Sequence, residues 1–157
     1  MVESDYLKMK IGIISSSGGH LFTTSQLKKW WGKNDRFWVV PKDGFSQDQL
    51  KTERTYQAFS PEQRNLSTMV KNTWLAIRVL RKERPDLIFS TGAGVAPPFF
   101  LIAKLLGIKT IFMEAYIFNP RPTLSGKLIY PIADLFIVQH QDLLKTYPRA
   151  KYLGSVL

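Results

Sequence analysis

The 157 residues contain no cysteine. That absence excludes disulfides and thiolate metal sites, and it is compatible with a reducing compartment. Acidic residues are scarce: 12 Asp plus Glu stand against 22 Lys plus Arg, a formal charge of +10. Such an excess favours an anionic partner, whether a phospholipid surface, a pyrophosphate-bearing substrate or nucleic acid. No recognisable nucleic-acid motif is present and the basic residues are dispersed, so nucleic acid is not expected. Long apolar runs are missing as well. The longest, Val95 to Leu106, is interrupted by Lys104 and falls short of the roughly 20 residues a spanning helix requires, so any membrane contact is expected on the surface. The opening Met1-Val-Glu-Ser-Asp-Tyr6 carries two acids and no apolar block, which does not read as a secretory signal. There is no repeat, low-complexity tract or linker. Residues 1–157 are therefore expected to form one domain, with 1–8 as an N-terminal extension.

What is present is an alternation of strand and helix signals in a chain that is 45% apolar and 13% aromatic. The pattern predicts an α/β fold, an open parallel sheet with helices on both faces. Strands are expected near 9–15, 36–41, 54–59, 86–90, 109–114 and 134–139, and helices near 20–33, 66–84, 95–106 and 123–132. A short helix near 141–146 and a strand near 151–154 are expected to close the domain. Pro97 and Pro98 suit a first helical turn, Gly107 a C-terminal cap, and Pro85 a helix stop.

In such a sheet, ligands bind beyond the carboxyl ends of the strands. Three segments are expected to converge there: Ser15 to His20, Ser90-Thr-Gly-Ala-Gly94, and Glu114-Ala-Tyr116. The first two are glycine turns opening helices, so their N–H groups can face a phosphate, carboxylate or sugar oxygen. Equally, the glycines can serve only tight turns and close strand-to-helix packing. A dinucleotide site fits poorly. Its fingerprint is G-x-G-x-x-G with an acid closing the second strand, whereas this turn reads SSSGGH and the second strand ends Val40-Pro-Lys42.

His20 falls at the first turn of its helix, where a neutral imidazole could accept a proton from a hydroxyl nucleophile, or simply cap and pack beside Leu27 and Trp31. The helix dipole is expected to lower its pKa. Glu114 could bind substrate hydroxyls or pair with Arg121. On the second long helix, Leu66, Met69, Val70, Trp74, Ile77 and Leu80 are expected to form the core stripe. Lys71, Arg78 and Lys82 would line the opposite face. That face could be merely solvated. It could also join Trp30, Trp31, Phe99, Phe100 and Leu101 in a basic-rimmed apolar patch facing anionic lipid.

Taken together, Ser16-Ser-Gly-Gly-His20, Pro85-Asp-Leu-Ile-Phe-Ser-Thr-Gly-Ala-Gly94, Glu114, Leu124-Ser-Gly-Lys127, Ala133-Asp-Leu-Phe-Ile-Val-Gln139 and Tyr147-Pro with Tyr152-Leu-Gly154 resemble the asparagine-linked glycosylation fourteen family and its bacterial relatives in exopolysaccharide and capsule synthesis. The resemblance runs from about residue 9 to 156. The stretch Ser90 to Glu114 is also similar to the acceptor half of the peptidoglycan glycosyltransferase MurG.

The resemblance implies a Rossmann-like, N-terminal-type half of a two-domain GT-B glycosyltransferase. A separate subunit would bind the UDP-sugar, and transfer to a polyprenyl-pyrophosphate-linked saccharide would occur at the heterodimer interface. The chain would act as an accessory, acceptor-binding and membrane-recruiting subunit, inactive alone, without cofactor or metal. Its place would be cytoplasmic and peripheral, on the inner face of the cell membrane. By position, Ser17, Gly18, Gly19, Thr91, Gly92, Gly94, Glu114, Ser125 and Gly126 would contact acceptor or phosphate, and His20 is the candidate general base. Lys71, Arg78 and Lys82 are the candidate membrane-surface residues. Three features depart from the family: the N-terminal membrane anchor of many eukaryotic members is not seen in these residues, Ala115 to Pro122 differs after the glutamate, and His140 stands where tryptophan commonly follows the glutamine. The reading outside this class is a stand-alone nucleotide- or anion-binding module.

Overall fold

The structure is a computed structural model, and it describes residues 8–60, 65–115 and 120–156. Tyr116 and most of the N-terminal extension lie outside the described residues. Among the described residues seven strands appear: β1 (Lys10–Ile14), β2 (Asp35–Pro41), β3 (Thr55–Ala58), β4 (Leu87–Ser90), β5 (Lys109–Met113), β6 (Leu135–Val138) and β7 (Lys151–Tyr152). They form one sheet in the order β3-β2-β1-β4-β5-β6-β7, and every pair is parallel. The helices that accompany them in the described residues are α1 (Gly19–Gln26), α2 (Lys28–Trp31), α3 (Gly44–Gln49), α4 (Leu66–Glu83), α5 (Ala96–Leu105) and α6 (Leu124–Ile129), with a 3₁₀ turn at Gln141–Lys145. The architecture is the Rossmann-like open sheet that the alternation predicts.

Residues alternate between two cores with the period of two that strands impose. Ile14, Phe37, Val39, Ile88, Phe112, Phe136 and Val138 join Ala76, Val79, Leu80, Phe99 and Phe100 on one face. Ile11, Ile13, Trp38, Val40, Phe89 and Met113 join Leu21, Trp31 and Leu50 on the other. With both faces covered, the central strands read as continuous apolar runs, which is why they were legible.

Helix ends follow local chemistry. The Asn65 side chain accepts from the Thr68 amide at 3.0 Å and starts α4, while Arg84 adopts a left-handed conformation (φ 47°) to end it. The single helix expected over 20–33 is two helices. The Thr24 carbonyl accepts from the Trp31 indole at 2.8 Å and from the Leu27 amide at 3.1 Å, which tightens the chain at Leu27 and restarts it. The expectation lacked α3, whose signal is Asp43 accepting from the Ser46 amide at 2.8 Å.

Two packing expectations are corrected. On α4 the inward residues are Thr68, Asn72, Ala76, Val79, Leu80 and Glu83, whereas Leu66 (76%), Met69 (49%), Val70 (56%) and Trp74 (70%) are exposed. Asn72 decides this orientation: its side chain donates to the Phe59 carbonyl at 3.1 Å and accepts from the Phe59 amide at 2.9 Å. The apolar patch expected from Trp30, Trp31, Phe99, Phe100 and Leu101 does not form. Trp31, Phe99 and Phe100 are buried, and the tryptophans and α5 lie on opposite faces of the sheet.

Gly12 sits where β1 meets its neighbours, and a Cβ there would stand 2.6 Å from Phe37 Cζ and 3.2 Å from Ile88 Cγ2. Gly12→Ala should therefore cost about 1–3 kcal/mol through overpacking. Urea denaturation measures it, and a loss below about 0.5 kcal/mol would contradict the packing described.

Candidate functional site

Strand order places the turns after β1, β4 and β5 side by side at the carboxyl edge. The first begins at Ser15, whose amide still donates to Val39 O at 3.0 Å. It then passes through Ser17 to Gly18, which has φ 72° and opens α1 with no side-chain cap. A Cβ on Gly18 or Gly19 would meet nothing within 4 Å. Close packing therefore does not account for these glycines. Gly18 answers to its positive φ, and the amides beside both lie open at a helix N-terminus, where an anion or sugar oxygen could be received.

His20, half-buried, turns into the second loop. Its Nδ1 lies 3.1 Å from the Thr91 carbonyl, and a Cβ on Gly92 would stand 2.8 Å from its Cε1. Gly92 (φ 114°) is thus required both by conformation and by the imidazole. Burial lowers the His20 pKa below its ordinary value, opposed by the bond to Thr91. The cause differs from the helix dipole invoked from sequence, but the direction is the same. Nε2 has no partner among the described residues. Thr91 is fully buried and holds His20 instead of facing the opening; Gly94 is half-buried just ahead of α5.

Glu114 lies deeper than expected. It is fully buried; Thr123 Oγ1 donates to its Oε1 at 2.6 Å, and the Tyr147 hydroxyl donates to Oε2 at 3.2 Å. The Thr123 hydroxyl in turn accepts from the Gly126 amide at 2.9 Å and caps α6. Gly126 is glycine because a Cβ would overlap the Glu114 carboxyl, while Ser125 beside it stays half-buried. The Gln139 side chain donates to the Glu114 carbonyl at 3.0 Å and accepts from the Val156 amide at 3.0 Å. The carboxyl therefore meets hydroxyls, not Arg121, and it braces the third loop from below. Sequence reasoning gave no role to Thr24, Thr123 or Tyr147. Only the cap spacing of Thr123 to Gly126 could have signalled one of them.

Lys71, Arg78 and Lys82 are all exposed along α4, apart from the loops. Lys71 Nζ lies over the Phe59 ring at 5.9 Å and Lys82 Nζ over Tyr56 at 5.4 Å. Among the described residues, no group of three or more His, Asp or Glu could hold a metal ion, and no helix is long and apolar enough to cross a membrane.

The family model described as oligosaccharide biosynthesis protein Alg14 like matches residues 54–156. The chain belongs to this family. The match takes in the loops of Thr91, Glu114 and Gly126 and starts beyond Gly18 to His20. Among relatives of this Alg14-like chain, the human UDP-N-acetylglucosamine transferase subunit ALG14 is 31% identical over 96 residues, 57% of this chain and 44% of the human protein. The UDP-N-acetylglucosamine--N-acetylmuramyl-(pentapeptide) pyrophosphoryl-undecaprenol N-acetylglucosamine transferase of Oceanobacillus iheyensis is 28% identical over 126 residues, 78% of this chain and 34% of that enzyme. The crystal structure of Acinetobacter baumannii MurG superposes with a TM-score of 0.76 at 20% identity, over 94% of this chain and 45% of that one. The Alg14-like chain spans less than half the length of each of these three.

Burial pushes the Glu114 carboxyl above the usual carboxylate range, against the hydroxyls of Thr123 and Tyr147 that favour its charge. Because the folded value is raised, its contribution to stability is complete below the ordinary glutamate pKa and is lost as pH climbs through the raised one. Glu114→Gln keeps an acceptor for Thr123 and removes the titration. Its melting temperature should gain on the parent's as pH rises above the ordinary glutamate range, and a difference independent of pH would rule out a raised titration of Glu114.

Proposed function

We propose that this chain is the acceptor-binding and membrane-recruiting subunit of a two-component UDP-sugar glycosyltransferase, acting on a polyprenyl-pyrophosphate-linked saccharide at the inner face of the cell membrane. The observation that carries the reading is the seating of His20. Its Nδ1 is committed to the Thr91 carbonyl, so in the neutral ring Nε2 holds the lone pair, one residue from the exposed turn of Gly18 and Gly19. The word "subunit" in the human relative's name supports the split, and the undecaprenol-linked substrate in the O. iheyensis name supports the acceptor class.

In this mechanism the amides of Ser17, Gly18 and Gly19 receive phosphate or sugar oxygens of the acceptor, with Gly94 and Ser125 at the flanking loops. His20 Nε2 takes the proton from the acceptor hydroxyl as its oxygen bonds to the anomeric carbon of the UDP-sugar held by the partner. The anomeric carbon's bond to the UDP oxygen breaks, UDP departs with the electron pair, and the proton on His20 returns to solvent. Burial that keeps the imidazole neutral suits a base.

Recruitment follows from α4. Leu66, Val70 and Trp74 recur every four residues and stack along one exposed line. Lys71, Arg78, Arg81 and Lys82 border it, and the helix's one acid, Glu83, is buried against Lys10 at 2.7 Å. An anionic leaflet attracts each such cation by about 1 kcal/mol, and the apolar line adds burial in the headgroup region.

Two experiments test the reading. Mixing this chain with the UDP-binding partner, membranes, labelled UDP-sugar and lipid-linked acceptor should give transfer that is lost when any component is omitted. His20→Ala should lower that transfer by about 100-fold or more with partner binding intact; full transfer without this chain would sink the proposal. Separately, reversing the charges of Lys71, Arg78 and Lys82, or replacing Trp74 by Ser, should weaken sedimentation with anionic vesicles. Unaltered pelleting of both variants would remove α4 as the membrane face.

A further inference from the structure

Two buried hydroxyls behind His20 have no part in the chemistry just described. Thr24 and Thr91 are both fully buried. Thr24 Oγ1 lies 2.9 Å from the His20 carbonyl, Thr91 Oγ1 lies 3.1 Å from the same oxygen, and the two hydroxyls are 3.1 Å apart. Three contacts share two protons, so one hydroxyl proton goes to the His20 carbonyl and the other either joins it there or bridges the pair. Thr91 therefore holds His20 at both ends: its side chain takes the backbone carbonyl, and its own carbonyl takes the ring. Gly92 completes the enclosure, since any side chain there would drive the imidazole off that carbonyl.

We propose that Thr24, Thr91 and Gly92 are positioning residues that fix His20 as its Nδ1–H tautomer and so reserve Nε2 for the substrate proton. A carbonyl oxygen can only accept, so the nitrogen facing Thr91 must carry the hydrogen. A neutral histidine free in water carries its proton mainly on Nε2, the arrangement that would present a donor, not a base, to an acceptor hydroxyl. The protein reverses that preference, and it does so with groups on α1 and on the loop after β4, which meet because β1 pairs with β4. Burial of the hydroxyl pair makes the arrangement stiff, because a misplaced threonine would leave a polar group unsatisfied away from water. The catalytic consequence rests on the reading of His20 as the base; the tautomer does not.

The test is ¹⁵N NMR of the histidine ring in the isolated chain at a pH where it is neutral, with the His20 signals assigned by their loss in His20→Ala. The parent should show Nδ1 protonated and Nε2 as the bare, imine-type nitrogen. Thr24→Val and Thr91→Val, close in shape to the parent, should give a mixture of tautomers, and Thr91→Ser should restore the parent pattern. Gly92→Ala should move the proton to Nε2 if it folds; the two valine variants decide the matter if it does not. In the reconstituted reaction the valine variants should lower kcat about 10- to 100-fold with KM for the acceptor unmoved. A proton on Nε2 in the parent overturns the inference, and so does a tautomer unchanged in both valine variants. Full transfer by His20→Ala with the tautomer as stated would instead remove the base and leave the positioning intact.

Discussion

The parallel pairing of β1 with β4 is the constraint on which the site depends. Ile14 stands opposite Ser90, so the two turns that follow leave the sheet at the same height and His20 meets Thr91. A register slip of one residue would shift one turn by about 3.3 Å and turn the strand's side chains to the wrong face. Neither would leave a hydrogen bond of 3.1 Å in place. The register is enforced by the core, because Ile11, Ile13, Ile14, Ile88 and Phe89 are buried against two different sets of partners. Gly12 admits the Phe37 ring between them.

The two edges of the sheet handle buried polarity differently. At the amino edge, acids meet cations: Glu83 pairs with Lys10 and Arg54, Arg54 with Asp35, and Asp134 with Lys104. At the carboxyl edge the buried polar groups include Ser15, Thr24, Ser90, Thr91, Gln139 and Glu114, and the acid among them is met by hydroxyls. Of these acids only Glu83 is buried, and it is the one that two cations reach. Hydroxyls and amides, which fix geometry without a net field, frame the end where glycine amides and an imidazole stay open to an anionic ligand.

Much of this was legible in the residues, and the failures have physical causes. Strands buried on both faces announce themselves as apolar runs, and the glycine turns that end them mark the carboxyl edge, so His20, Gly92 and Glu114 were placed at the right edge from sequence alone. Periodicity fixed that α4 is a helix but not which side faces inward. The apolar stripe of Leu66, Val70 and Trp74 was assigned to the core, yet the bonds from Asn72 to Phe59 turn the small residues Thr68 and Ala76 against the sheet. Likewise the break at Leu27 depends on an indole reaching the Thr24 carbonyl, and the depth of Glu114 on hydroxyls brought from Thr123 and Tyr147. These are contacts between distant residues, and no local pattern encodes them.

The orientation of α4 then acquires a meaning that the helix alone would not have. It runs antiparallel to the strands, so Leu66, Val70 and Trp74 begin at the carboxyl edge, at the same end of the sheet as the glycine loops but over the face opposite α1. Lys82 lies about 18 Å farther along, at 1.5 Å per residue from Val70. A surface that takes up the apolar end of this helix therefore meets the carboxyl end of the sheet, from which the glycine loops and His20 also project, while Arg78, Arg81 and Lys82 lie farther along it. On the reading proposed above, that is the end of the molecule a lipid-anchored acceptor would approach. Its chain would stay in the leaflet while its pyrophosphate and sugar reach over the carboxyl edge of the sheet toward Gly18 and Gly19. Had Asn72 not turned the apolar stripe outward, the loops would be unchanged but α4 would present no exposed apolar line.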